Sequence, residues 1–211
     1  KLRYEPSREL PNYVGVGPVN FLGPSYLGNA YDVFAIREDP NADNFSVKNI
    51  APNKDLNKAT LHRRINLRKQ LDQFKSRADH LHRMDALDTF EQQALNVLTG
   101  STATEAFNIQ AETEKTRERY GRNRWGQQLL LARRLVEAGV DLVTAQFSGK
   151  LCGGVGNWDD HAVNANCFEA IKYRLSFFDQ AVAALVEDIY DRGLHRRVMV
   201  VVTGEFGRTP R

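Results

Sequence analysis

Two short runs hold the residues with the greatest chemical capacity in this chain. The first is Asn157-Trp158-Asp159-Asp160-His161, and the second is Gly204-Glu205-Phe206-Gly207-Arg208. Carboxylate oxygens and a neutral imidazole nitrogen are ligands for Zn²⁺, or for Mg²⁺, Mn²⁺ or Ca²⁺ when water completes the shell. A guanidinium offers a planar, bidentate fork to phosphate or sulfate oxygens. Asp159, His161 and Glu205 are therefore candidate metal ligands, and Arg208 a candidate anion-orienting catalytic group. A metal beside an arginine can polarise an ester and lower the pKa of a bound water. Each residue also has a plain structural reading. Asp159 or Asp160 can cap a helix, His161 can sit unliganded in a first turn, and Glu205 can pair with Arg208.

Other motifs are incomplete. Ser148-Gly149-Lys150 lacks the upstream glycine and following hydroxyl of a phosphate-binding loop. Gly153-Gly154-Val155-Gly156 opens no helix at the dinucleotide-binding spacing, and its glycines instead suit a loop that approaches a neighbour closely. Gly-x-Ser-x-Gly is absent. Cys152 reads as a small buried thiol rather than a nucleophile.

The elements that must position the two runs follow from periodicity. Val140–Phe147 alternates and is β-branched, as a strand does. Asn164–Arg192 carries Phe168, Ile171, Leu175, Phe178, Val182, Leu185 and Ile189 at alternating steps of three and four, as a helix does, and Gly193 ends it. Val198–Thr203 is apolar enough for a strand covered on both faces. Strand, helix and strand make a βαβ unit. Its parallel strands deliver both runs to the carboxyl edge of one sheet, where ligands bind in open α/β folds.

Upstream, Asn57–Arg83 and Asp85–Leu98 have helical spacing, the first basic and the following stretch acidic. Without interleaved aromatics the basic helix reads as a solvated face rather than a nucleic-acid surface. Thr102-Ala103-Thr104-Glu105 has the form of a capping box. Glu112–Tyr120 and Asn123–Ala138 read as helices closed by Gly121 and Gly139. Residues 1–55 are broken by proline. They read as an irregular wrap, with short extended pieces at Tyr13–Val16 and Phe45–Ile50. One domain is expected, with 1–55 as the wrap, 56–139 helical and 140–211 the βαβ core.

Composition narrows the class. The chain has 211 residues, 42% hydrophobic, with 29 Lys and Arg against 26 Asp and Glu, for a net charge of +3. That balance does not announce a nucleic-acid binder. No apolar run approaches the length of a membrane span, and two cysteines cannot build a disulfide framework. The only methionines are Met84 and Met199, and the chain stops just after a strand-like run. It therefore reads as an internal piece of a longer protein.

The residues also resemble a family. Tyr26-Leu27-Gly28, Ala30-Tyr31-Asp32 and Phe34 lie near the start, and Arg119-Tyr120-Gly121-Arg122-Asn123 with Gly126-Gln127 and Leu130–Val140 in the middle. Asn157–His161 and Gly204–Arg211 follow. Together they are similar to the bacterial domain-of-unknown-function family 1501, a sulfatase-like branch grouped with the alkaline phosphatase superfamily. The resemblance implies an α/β fold, specifically a partial alkaline-phosphatase-like three-layer αβα sandwich with a helical segment before the βαβ unit. It implies an exported, metal-dependent hydrolase of phosphate or sulfate esters acting on a small anionic ester or sulfated glycan. Asp159 and His161 match the Trp-Asp-x-His motif, where the family usually shows Gly-Trp-Asp-Thr-His. Glu205 falls where related hydrolases place an Asp-His pair, with Phe206 in the histidine's place. A first Asp ligand and the Ser/Thr nucleophile would precede this segment and an Arg-Asp-His segment would follow it, so the segment alone is expected to be inactive. The Phe206 departure keeps a second reading open, a degenerate anion- or glycan-binding scaffold.

Overall fold

The structure, a computed structural model, describes residues 9–18, 23, 32–47, 63, 101–148, 150–151, 154–155, 158 and 166–204. These form a mixed α/β arrangement. Three strands, β1 (Tyr13–Val16), β2 (Phe34–Ile36) and β3 (Leu142–Ala145), make a parallel sheet in the order β2-β1-β3. Val14 pairs with Phe34 and with Val143, so β1 is the central strand. Four helices follow the first two strands or flank the third: α1 (Ser101–Phe107), α2 (Glu114–Tyr120), α3 (Arg124–Glu137) and α4 (Cys167–Asp191). A two-residue hairpin, β4 (Lys150–Leu151) with β5 (Gly154–Val155), lies in the loop after β3.

The short extended piece expected at Tyr13–Val16 is thus the centre of the sheet, and the early segment supplies two of its three strands. The proline-rich composition hid this, because a four-residue strand flanked by Pro11 and Pro18 leaves little periodicity to read. Val14, Val16 and Ile36 are fully buried against α3 and α1, with Phe107, Ile109, Leu130, Leu131 and Leu135.

The helix boundaries follow their capping residues. Thr113 accepts from the Thr116 amide at the start of α2, and Gly121, with φ +97°, closes it. Asn123 accepts from the Gly126 amide at 3.0 Å to start α3, and Gly139 turns the chain out of it at φ +108°. The helix expected at Thr102 begins at Ser101, so Thr102 lies inside the first turn and donates its amide to Glu9 instead.

Helix α3 is buried on several sides. Leu129, Leu130 and Leu131 are consecutive and all buried, which one apolar stripe cannot achieve. It contacts β1 and β3 on one side and α1, α2 and α4 on the others. The apolar burial of α4 is concentrated in its carboxyl half, through Ala181, Ala184, Leu185 and Ile189, while Phe168 and Leu175 of the predicted stripe are exposed; in the amino half Arg174 is buried. The cause is length: 25 residues span about 37 Å against about 21 Å for the 14 residues of α3.

One expectation is corrected. Val198–Thr203 forms no strand, so the predicted βαβ unit is not completed. The Val198 amide donates to Leu194 O, and Met199, Val201 and Val202 are exposed at 85%, 72% and 57%. The segment lines an apolar groove of about 440 Å³ with β3, α3 and α4. A β-branched run records fitness for a pleated surface, not the presence of a neighbour in register. Of the predicted helices over 57–98 Arg63 alone is described, and it is helical; the rest of that range and the extended piece at 48–50 lie outside the described residues, and residues 45–47 carry no strand.

Candidate functional site

A single network of buried charge locks the helical layer behind the sheet. Asp188 on α4 is 5% exposed. Tyr120 donates to its Oδ2 at 2.9 Å, Arg192 Nε donates to Oδ1 at 2.9 Å, and Arg133 Nε lies 2.9 Å from Oδ2 as an ion pair. Arg119 adds a contact at 3.1 Å. Burial pulls the Asp188 carboxyl upward, but the hydrogen bonds from Arg192 and Tyr120 and the charge of Arg133 outweigh it, so the group is held below its ordinary value. Burial and the neighbouring carboxylate push the Tyr120 phenol up. Arg133 continues the network to Glu112 at 2.9 Å and Glu137 at 2.8 Å. The Glu112 carboxyl is again raised by burial and lowered, on balance, by Arg134 and Arg133.

The corner between α2 and α3 is equally specified. Gln127, fully buried, accepts from Arg117 Nε at 2.8 Å and donates to the carbonyls of Arg117 and Gly121, each at 2.9 Å. Gly126 packs so closely on this corner that a Cβ would fall 2.1 Å from Tyr120 O. The Arg119–Gln127 motif is therefore a structural lock, and it aims the amino end of α3 at the carboxyl edge of the sheet.

At that edge the segment after β3 is held by two indoles. Trp125 Nε1, on α3, donates to Ser148 O at 3.4 Å, and Trp158 Nε1 donates to Phe147 O at 2.7 Å. The two rings stack at 5.6 Å with an interplanar angle of 16°. Phe147 and Phe178 close around them, and the Arg174 guanidinium lies 5.3 Å from the Trp158 ring centroid in a cation–π contact. Tyr173 donates to Leu151 O and pins the hairpin to α4. Trp158, which immediately precedes Asp159 in sequence, is thus anchored at the carboxyl end of β3.

Of the predicted site residues, Asp159, Asp160, His161, Glu205 and Arg208 all lie outside the described residues, as does Cys152. Among the described residues no three His, Cys, Asp or Glu side chains come together in a way that could hold a metal. His195 stacks on Tyr190 at 4.8 Å. Among the described residues the apolar groove beside 198–203 is lined by one charged side chain, Arg133, and by no acid–base pair.

Trp125 and Gln128, at the carboxyl edge of the sheet, were not singled out in the sequence. Their signal was weak but present: both sit within five residues of the Asn123 cap, on the helix that precedes β3 and must run back against it. No curated protein and no solved structure matches the chain. The family model described as protein of unknown function (DUF1501) matches residues 6–211, nearly the full length of the sequence, and the chain belongs to that family.

Proposed function

We propose that this chain forms part of an exported, metal-dependent hydrolase of phosphate or sulfate esters on an alkaline-phosphatase-like three-layer αβα sandwich. Asp159, His161 and Glu205 would hold a divalent cation, and Arg208 would orient the ester anion. The donor set of two carboxylates and one imidazole fits zinc, manganese or magnesium, with calcium less suited to the nitrogen. Bound there, the metal would supply Lewis acidity toward the ester oxygen. Asp160 would cap the following helix or support a ligand from behind. The observation that carries this reading is the anchoring of Trp158, the tryptophan of the Trp-Asp-x-His run, at the carboxyl edge of a parallel sheet, where open α/β folds bind their ligands. The rigid helical layer behind it supplies the fixed frame that a metal site requires.

The test is metal content of the purified protein. Stoichiometric zinc, manganese or magnesium is expected, lost in Asp159→Ala and in His161→Ala without a change in far-UV circular dichroism. Full retention in both variants would overturn the reading. A second reading rests on Phe206 in the place of a histidine: the fold would bind a small anionic ester or sulfated glycan without turnover. Ester hydrolysis that stops on chelation would exclude it. No helix among the described residues is long and apolar enough to cross a membrane. Export is part of the proposal and rests on the family resemblance.

A further inference from the structure

The order β2-β1-β3 means that the chain leaves β1 for a neighbour on one side and later returns to its other side. The crevice between the carboxyl ends of β1 and β3 is therefore the topological switch point of this sheet. Gly17 leaves β1 with φ +99°, and the Gln146 amide, just after β3, reaches back to Val16 O at 3.4 Å. Beneath these two strand ends lies Gln128, one turn into α3. Its side chain is fully buried, and neither Oε1 nor Nε2 has a hydrogen-bond partner among the described residues. A Cβ at Gly17 would fall 2.6 Å from Gln128 Nε2 and 3.7 Å from Gln146 O, so the carboxamide lies against the backbone of Gly17, which itself borders the end of β3.

The adjacent Gln127 shows what a merely structural glutamine does in this helix, since both of its amide atoms are bonded. A buried carboxamide with neither atom bonded is costly, and an apolar side chain of the same size would avoid the cost. Such local violations collect at functional sites. Resting on the anion-binding reading above, we propose that Gln128 is a ligand-binding residue at the floor of this crevice. Its Nε2 donates to an oxygen of the bound oxyanion, and its Oε1 accepts from a water held with it. Because the amide is covered in the unliganded chain, binding is coupled to a local opening of the backbone at Gly17.

The test uses calorimetric titration of the protein with inorganic phosphate and with sulfate, beside thermal unfolding without ligand. Gln128→Met keeps the length of the side chain and removes both polar atoms. It is expected to unfold at a higher temperature than the wild type and to bind phosphate about tenfold more weakly, the loss of one hydrogen bond to a charged group. Gln128→Glu is expected to abolish phosphate binding by charge repulsion. Affinity within twofold of wild type in Gln128→Met overturns the proposal, as does a lower unfolding temperature, which would reveal a structural hydrogen bond. Tighter binding of Mg²⁺ by Gln128→Glu, with phosphate affinity intact, overturns it in favour of a cation. Loss of binding in Arg208→Ala but not in Gln128→Met overturns this inference alone. Absence of phosphate and sulfate binding by the wild type overturns the anion reading together with it.

Discussion

Replacing Asp188 by asparagine removes one negative charge from the centre of the helical layer while preserving its shape. The carboxylate faces Arg133, Arg192 and Arg119 and accepts from Tyr120. Asparagine can still accept the Tyr120 hydrogen bond, but it leaves three guanidiniums without their shared counter-charge. Breaking a buried ion pair costs about 3–5 kcal/mol. The side chains of Arg192 and Arg119 are 35% and 37% exposed, so water screens much of their share, whereas that of Arg133 is 1% exposed. The expected loss is therefore near the lower end, about 3 kcal/mol, or a fall in Tm of roughly 6–12 °C for a chain of this size. The pH dependence gives the sharper check. The folded-state pKa of Asp188 is lowered, so its stabilisation is fully present above the unfolded carboxyl pKa, near 3.9, and is lost as pH falls through the folded value. Urea unfolding of wild type and Asp188→Asn should differ most near neutral pH and converge under acid. A difference below about 1 kcal/mol at neutral pH, or one unchanged on acidification, would refute the electrostatic account.

Three further outcomes follow from the packing. Gly126→Ala, which in an ordinary helix gains about 1 kcal/mol, is expected to destabilise by more than about 3 kcal/mol, because its Cβ would meet Tyr120 O at 2.1 Å and Gly121 O at 2.5 Å; an unchanged Tm would contradict that corner. Trp158→Phe removes the donor to Phe147 O and the stacked indole pair, so the near-UV circular dichroism should weaken and stability fall by about 1–2 kcal/mol; an unaltered spectrum would count against the stack. Val201→Thr should change stability by no more than about 0.5 kcal/mol, since Val201 is 72% exposed and outside any strand. A loss above about 1 kcal/mol would instead indicate that Val198–Thr203 is paired in a sheet.

Local chemistry made much of the helical layer legible in advance. Gly121, Asn123, Gly139 and Gly193 act on their own neighbours, by positive φ or by capping, so their positions along the chain predicted the ends of α2, α3 and α4. The alternation of Val140–Phe147 likewise marked β3. Strand β2 was not legible, because three residues carry no period. Nor was the fate of Val198–Thr203, whose apolar run is compatible with any arrangement that offers it a neighbour.

Residue types and their order carry the family membership and the candidate ligands. The types and spacing of Asp159, His161, Glu205 and Arg208, with the long runs shared with the family, are properties of one dimension. Which groups meet across distance is set by the fold. Asp188 finds Tyr120 and Arg133, Trp158 finds Trp125, and Gln128 comes to rest against Gly17 with no hydrogen-bond partner among the described residues. These contacts depend on strand order and on the direction in which α3 runs against β3. No residue's own propensity encodes either of those.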